Sequence, residues 1–403
     1  MNICFFTENN YKGGLDTFII QLANNWPNKH DNITLVCNKS HPGLHTIKLK
    51  ASHSLKFQTY SYFFNFHINN SFFISNYFNL LIKIVFLFFY KIIEYPILFP
   101  YYIFSLYHYF KFSSYEKLIV INGGYPASLI CRSAIISWYF VKKQKAVLNF
   151  HNNVFKTKWY NCIFENVIDY FVCKFSSSLV TVSNNCLNTL NNRFFTNLHN
   201  NKFYIYNGIE DPLININKNV NPHNGIEYCL MLATFEKRKG HHFLIKSFKE
   251  VLKKHSNCKL FIYGYGSPRE IKHVQDFINN LNLTDNIKLF NFTDNKYNLI
   301  YHSKLLLVPS QENESFGLTV IEAMALSIPV VVTNVGGMPE ILNNSNAGFI
   351  INKNNNQELT EKINVLLEDN SLYKSMSMNA RIHYKNNFMV NHMTRKYYNL
   401  LKI

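Results

Sequence analysis

The sequence predicts an α/β protein built as two halves, each a parallel sheet wrapped by helices. Three observations carry that prediction. Short apolar runs alternate with longer helical stretches along most of the chain. A polar stretch holding two prolines, 211–225, divides those runs into two sets. The length of 403 residues exceeds one ordinary core, and 47% hydrophobic against 16% charged residues excludes a disordered chain or a charge-solvated coiled coil.

The first set opens with an apolar run over 2–7, which leads into Glu8-Asn-Asn-Tyr-Lys-Gly-Gly-Leu-Asp16. A helical pattern follows, carrying Phe18, Ile19, Leu22, Ala23 and Trp26. Strand, glycine turn and helix make a Rossmann-like opening. Further strands are expected over 32–37, 116–121, 145–150 and 178–182, and in the second set over 228–233, 259–263, 287–290, 304–308 and 329–333. Domains are therefore placed at 1–212 and 226–385, with a linker at 213–225. The closing stretch from Leu372 onward is expected to be helical. Within it, 386–403 should cross back to the first domain, because Phe388, Met389, Met393, Tyr397, Leu400 and Leu401 recur at helical spacing and need a surface to cover.

Segment 72–112 is dominated by aromatic and aliphatic residues. A membrane span needs about 20 nearly uninterrupted apolar residues, and Lys83, Lys91, Glu94, Pro96 and Pro100 break every candidate. Two readings stand: core helices of the first domain, or a surface helix dipping into a membrane interface with Lys83, Lys91 and Lys111 at the headgroups. The formal net charge of +17 favours an anionic partner. It is spread along the chain without a nucleic-acid signature, so nucleic acid is not expected as a partner. Eight cysteines stand singly, without CxxC pairs, which reads as free thiols in a reducing compartment. The first strand begins at once, with no charged n-region ahead of an apolar stretch, and a cytoplasmic protein is expected.

The strongest chemical signal is Pro309-Ser-Gln-Glu-Asn-Glu-Ser-Phe-Gly-Leu-Thr-Val-Ile-Glu-Ala-Met-Ala325, placed just after a strand. A loop there enters a helix at the carboxyl edge of a sheet, where open α/β folds bind ligands. The helix is expected to begin near Phe316, Gly317 and Leu318, whose backbone N–H groups and positive dipole end suit a phosphate. Glu314 lies just before that turn and Glu322 about two turns on. Carboxylates so near a phosphate repel it, so their chemistry is that of acceptors for sugar or ribose hydroxyls.

Here the sequence resembles the retaining glycosyltransferases of family 4. Glu314 and Glu322 match the spacing of that family's E-x7-E motif. The likeness continues, in order, through Gly13-Gly14, Asn122-Gly-Gly124, His151-Asn152, Val182-Ser183, Asn207-Gly-Ile209, Lys239-Gly240, Gly264-Tyr-Gly266 and Gly336-Gly-Met-Pro-Glu340. The resemblance implies the GT-B architecture, with two Rossmann-like domains facing a central cleft. It implies an enzyme moving a hexose or N-acetylhexosamine from a nucleotide diphosphate sugar to a glycan acceptor, as in bacterial surface-polysaccharide synthesis (lipopolysaccharide or capsule).

By the same resemblance, His151, Lys239 and Glu314 take the catalytic positions. Gly13, Gly14, Arg238, Ser315, Phe316, Gly317, Leu318, Thr319 and Glu322 take donor-binding ones. Glu314 would receive donor-sugar hydroxyls, Glu322 the ribose diol, the amides of Phe316 to Thr319 the distal phosphate, and Lys239 the leaving diphosphate. His151 would reach the sugar, although a core histidine at a strand end fits the same residue. One departure stands out: Thr234 occupies the place of the family's phosphate-gripping arginine, and Arg238 or Lys237 is a candidate replacement. No DxD motif is present and Asp285 and Asp294 stand alone, so neither a metal nor another cofactor is expected. A phosphorylase, a sugar-nucleotide epimerase and a catalytically silent sugar-nucleotide or glycan-binding protein are the competing readings. The aromatic, lysine-dotted first domain points to a lipid-linked acceptor, with the protein peripheral on the inner face of the cytoplasmic membrane.

Overall fold

The structure is a computed structural model that describes residues 1–10, 13–52, 55–61, 94–214 and 216–402. Among these residues the chain divides into two compact units. The first holds Met1–Val182, Cys186–Ile205 and Thr394–Ile403, and the second holds Ser183–Asn185 and Tyr206–Met393.

The first unit is a parallel sheet of β1 (Asn2–Thr7), β2 (Asn32–Asn38), β3 (Leu55–Tyr60), β4 (Lys117–Asn122), β5 (Ala146–Phe150), β6 (Ser176–Thr181) and β7 (Lys202–Tyr204). Its order is β3-β2-β1-β4-β5-β6-β7, so the winding reverses between β1 and β4. The central strands are buried on both faces and read as continuous apolar runs, as helices on both sides require. The second unit repeats the plan with β8 (Tyr228–Leu232), β9 (Lys259–Gly264), β10 (Ile287–Asn291), β11 (Leu305–Val308), β12 (Val330–Thr333) and β13 (Gly348–Ile351). There the order is β10-β9-β8-β11-β12-β13, with the reversal between β8 and β11.

The first unit is pinned by a buried charge cluster. Glu165 Oε2 accepts from Arg132 at 3.0 Å and from Arg193 at 2.7 Å, and Asp169 Oδ2 accepts from Arg193 at 2.8 Å. The remaining carboxylate oxygens are met by the hydroxyls of Tyr95 and Tyr125, each at 2.5 Å. Two cations thus meet two anions, and each of the four carboxylate oxygens has at least one donor, the condition under which buried charge is tolerated. The cluster ties the helices Leu129–Lys142 and Cys162–Phe175 to the segments bearing Tyr95, Tyr125 and Arg193.

The structure corrects two boundaries. The stretch 213–225 is not a connector between units, because the change of unit falls between Ile205 and Tyr206. Asp211, two residues before that stretch, is held by Arg381 of the helix Asn370–Asn387. The closing helix Val390–Lys402 changes unit at 393/394 instead of 386. Phe388 lies 6.1 Å from Phe316, and the Gly208 N–H meets Met393 Sδ at 3.3 Å, both within the second unit. Tyr397 is fully buried in the first, where its hydroxyl accepts from Asn149 Nδ2 at 2.7 Å.

Residues 72–93 of the apolar segment, with Lys83 and Lys91, lie outside the described residues. In the remainder, Tyr95, Leu98, Tyr102, Leu106 and Phe110 are buried in the core of the first unit, while Phe104 and Phe112 are exposed. No described helix is long and apolar enough to cross a membrane. None of the eight cysteines forms a disulfide.

Candidate active site

The reversal of strand order in the second unit places two loops side by side, one after the carboxyl end of β8 and one after β11. Open α/β sheets bind ligands in this crevice. The loop after β8 makes a short 3-10 turn, Lys237–Lys239, and the loop after β11 carries Glu314. They are joined by an ion pair: Lys239 Nζ donates to Glu314 Oε2 at 2.6 Å, and Ser310 Oγ donates to the same oxygen at 3.1 Å. Two residues 75 positions apart in sequence therefore share one charge-assisted contact.

The helix Leu318–Ala325 starts where the sequence places it, capped by Gly317. Gly317 has φ 116°, a left-handed conformation that strains any residue with a Cβ. The first N–H groups of any helix lack intrahelical acceptors, and here the Val320 N–H turns back to the Gly317 carbonyl at 3.0 Å. Leu318 and Thr319 are left as the amides at the positive end of the helix dipole. Gly336 presses on the same loop, since a Cβ there would stand 1.7 Å from the Glu314 carbonyl oxygen. That carbonyl accepts the Gly337 N–H at 2.8 Å, which fixes the backbone of Glu314 from the β12 side.

Arg238 braces the glutamate loop. Its guanidinium donates to Glu236 at 2.6 and 3.3 Å and to the Asn313 carbonyl at 3.0 Å, while its own carbonyl accepts the Gln311 N–H at 2.7 Å. Thr234, in the place of the expected arginine, donates to Glu236 Oε1 at 2.7 Å. Partial burial pushes the Glu236 carboxyl up, but the hydrogen bonds from Arg238 and Thr234 outweigh it and leave the group below its ordinary range.

Glu322 is not in an exposed cleft. Its side chain is 1% exposed, Oε1 accepts from Lys296 Nζ at 2.5 Å, and Oε2 is buried without a hydrogen-bond partner. The sequence reading missed Lys296, which lies 26 positions away on another helix and belongs to no motif. It also missed Ser310, although that residue lies inside the 309–325 motif.

His151, Gly13 and Gly14 belong to the first unit. His151 follows β5 and its backbone N–H donates to the Asn122 carbonyl at 3.0 Å. Its ring meets Phe18 edge-on at 4.2 Å, Nε2 is sealed without a partner, and burial pushes the imidazole down to about 3, so the ring is neutral. Gly13, with extended backbone, precedes the helix Gly14–Asn24, and its N–H donates to Asp16 Oδ2 at 3.2 Å. Among the described residues, no group of three or more His, Cys, Asp or Glu side chains could hold a metal ion.

Residues 214–383 match the family model described as glycosyl transferases group 1. Over 152 residues, 38% of this chain, the sequence is 32% identical to the capsular polysaccharide biosynthesis glycosyltransferase CapM of Staphylococcus aureus. The chain spans 40% of the length of that curated relative. Likeness to solved structures runs over the whole chain. A glycosyltransferase from Rickettsia africae ESF-5 superposes with a TM-score of 0.75 at 20% identity, covering 100% of this chain and 97% of that one. Anabaena Alr3699/HepE, solved in complex with UDP-glucose, gives 0.72 at 16% identity, covering 100% and 99%. The two-domain α/β fold of GT-B type is therefore that of this chain.

The buried histidines make acid stability testable. Burial first, then the neighbouring His242 and Lys239, push His241 down to about 4, and His151 stands at about 3. An unfolded histidine titrates near 6.5, so below that pH the unfolded chain takes up protons first and folded stability falls with pH. Urea unfolding between pH 6.5 and 4.5 should show the His241→Gln chain losing stability less steeply than the original, by up to about one proton in the slope. Equal slopes would show that His241 is as free to protonate in the folded chain as in the unfolded one.

Proposed function

We infer that the protein is a glycosyltransferase of family 4 that moves a hexose or N-acetylhexosamine from a nucleotide diphosphate sugar to a glycan acceptor, with retention. One observation carries this reading: the Lys239–Glu314 pair at the strand-order reversal of the second unit, beside the start of the helix Leu318–Ala325. A diphosphate needs positive charge and free amides, and a sugar needs hydroxyl acceptors. Lys239 with Leu318 and Thr319 supplies the first, and Glu314 supplies the second. As the bond from the anomeric carbon to the diphosphate oxygen breaks, negative charge grows on the leaving phosphate, where the ammonium and the helix start stabilise it. The acceptor hydroxyl attacks from the face the diphosphate leaves, and its proton passes to a phosphate oxygen, so no protein nucleophile is required. The CapM likeness and the HepE complex with UDP-glucose support a nucleotide sugar donor and a place in surface-polysaccharide synthesis.

Nucleotide release from a panel of UDP-, GDP- and dTDP-sugars tests the reading. One donor class should be turned over, and Glu314→Ala should reduce the rate about ten- to a hundredfold, the worth of one hydrogen bond to a charged group. Binding of a sugar nucleotide without release would identify a silent binding protein. Full activity in the variant would remove Glu314 from the site.

The acceptor in this reading is lipid-linked and met at the inner face of the cytoplasmic membrane. The helix Cys162–Phe175 supports this, because Ile163, Val167 and Tyr170 form an exposed apolar stripe continued by Trp159, which is 86% exposed. Lys156, Lys158 and Lys174 are exposed around it. An apolar stripe ringed by lysines suits an anionic bilayer, with each lysine worth about 1 kcal/mol near such a surface. Sedimentation with anionic vesicles should show binding that weakens with salt without vanishing, and that Trp159→Ala reduces. A protein left in the supernatant at low salt would place the acceptor in solution.

A further inference from the structure

We propose that Lys296 is the residue that orients Glu322 for the ribose of the donor, so that this chain reads a ribonucleotide through a lysine–glutamate pair. The inference rests on the sugar-nucleotide reading of the site and extends it to a side chain outside the E-x7-E motif. Glu322 sits in the helix Leu318–Ala325, almost fully buried, and such a carboxylate is costly unless a cation and donors meet it. Lys296, the first residue of the helix Lys296–Tyr301, is the cation, at 2.5 Å from Oε1.

The pair is incomplete. Oε2 is shielded from solvent and has no partner, and an anionic oxygen left without a donor is expensive. The missing partner has to be a hydrogen-bond donor that is small, neutral and brought by a ligand. A phosphate fails because it only accepts and carries like charge. A vicinal diol fits, because each carboxylate oxygen holds two lone pairs and Lys296 occupies one of the four. The lysine side chain is 28% exposed against 1% for the glutamate, so the pair is open to solvent on the lysine side. By holding Oε1, Lys296 keeps the Glu322 carboxylate in one rotamer, which makes the lysine a positioning residue.

The experiment is calorimetric titration of the full chain. The original protein is first titrated with UDP, GDP and dTDP to find the nucleoside diphosphate it binds. If none binds, the sugar-nucleotide reading itself fails. Binding of dTDP alone, whose 2′-deoxyribose has no vicinal diol, would overturn the proposal; with UDP or GDP as the bound one, Lys296→Met and Lys296→Arg are titrated with that ribonucleotide and with its 2′,3′-dideoxy counterpart. Lys296→Met should weaken ribonucleotide binding about tenfold or more and bind the dideoxy compound as the original protein does, while its thermal stability falls because buried Glu322 loses its cation. Lys296→Arg should recover most of the affinity. Should Lys296→Met not fold, Lys296→Gln takes its place with the same expectation. Unchanged affinity for the ribonucleotide would overturn the proposal. An equal loss for both compounds would do the same and put the lysine on the diphosphate, and tighter ribonucleotide binding would make Lys296 a competitor of the ribose.

Discussion

A carboxylate held beside the positive end of a helix is the constraint around which the loops of the second unit are arranged. Glu314 has to offer oxygen acceptors within reach of a helix start whose chemistry attracts anions, and the Lys239 ammonium at 2.6 Å is what reconciles them. The surrounding loops hold that pair. Gly336 and Gly337 press on the Glu314 carbonyl from one side, and Arg238 ties Asn313 and Gln311 to the turn after β8 on the other. The arginine at 238 thus acts on the backbone that carries Glu314. The Thr234 hydroxyl does not replace a lost charge; it joins the same network through Glu236.

The first unit solves a different electrostatic problem. Its two arginines and two carboxylates are sealed away from solvent with two tyrosine hydroxyls completing the set. Removing one partner of such a set strands a buried charge, at a cost of about 3–5 kcal/mol. The cluster fixes the helix Cys162–Phe175 by one face, Glu165 and Asp169, and leaves Ile163, Val167 and Tyr170 exposed on the other.

The central strands were legible because burial on both faces demands uninterrupted apolar runs, as in Leu118 to Ile121 and Val330 to Val332. The strands missed were β3, β7 and β13, and each lies at a sheet edge. β3 reads Leu-Lys-Phe-Gln-Thr-Tyr and exposes half its residues, and β7 is three residues long, so neither carries the apolar signal that burial writes. The Glu314–Glu322 motif and the helix start at Leu318 were legible because they are local. Lys296, the closed environment of Glu322 and the bracing role of Arg238 were not, since each depends on a partner brought close only by the fold. The linker was misplaced for a related reason: polarity marks exposure, while Asp211 is anchored by an arginine 170 positions away.

A diphosphate seated on the helix start at Leu318 would cover the first amides of that helix. Amide hydrogen exchange with and without a saturating nucleoside diphosphate reads this directly. Slowed exchange is expected at Leu318 and Thr319, with Lys239 and Glu314 flanking the protected stretch. Saturated binding that leaves those two amides unchanged, while protecting amides elsewhere in the chain, would contradict it.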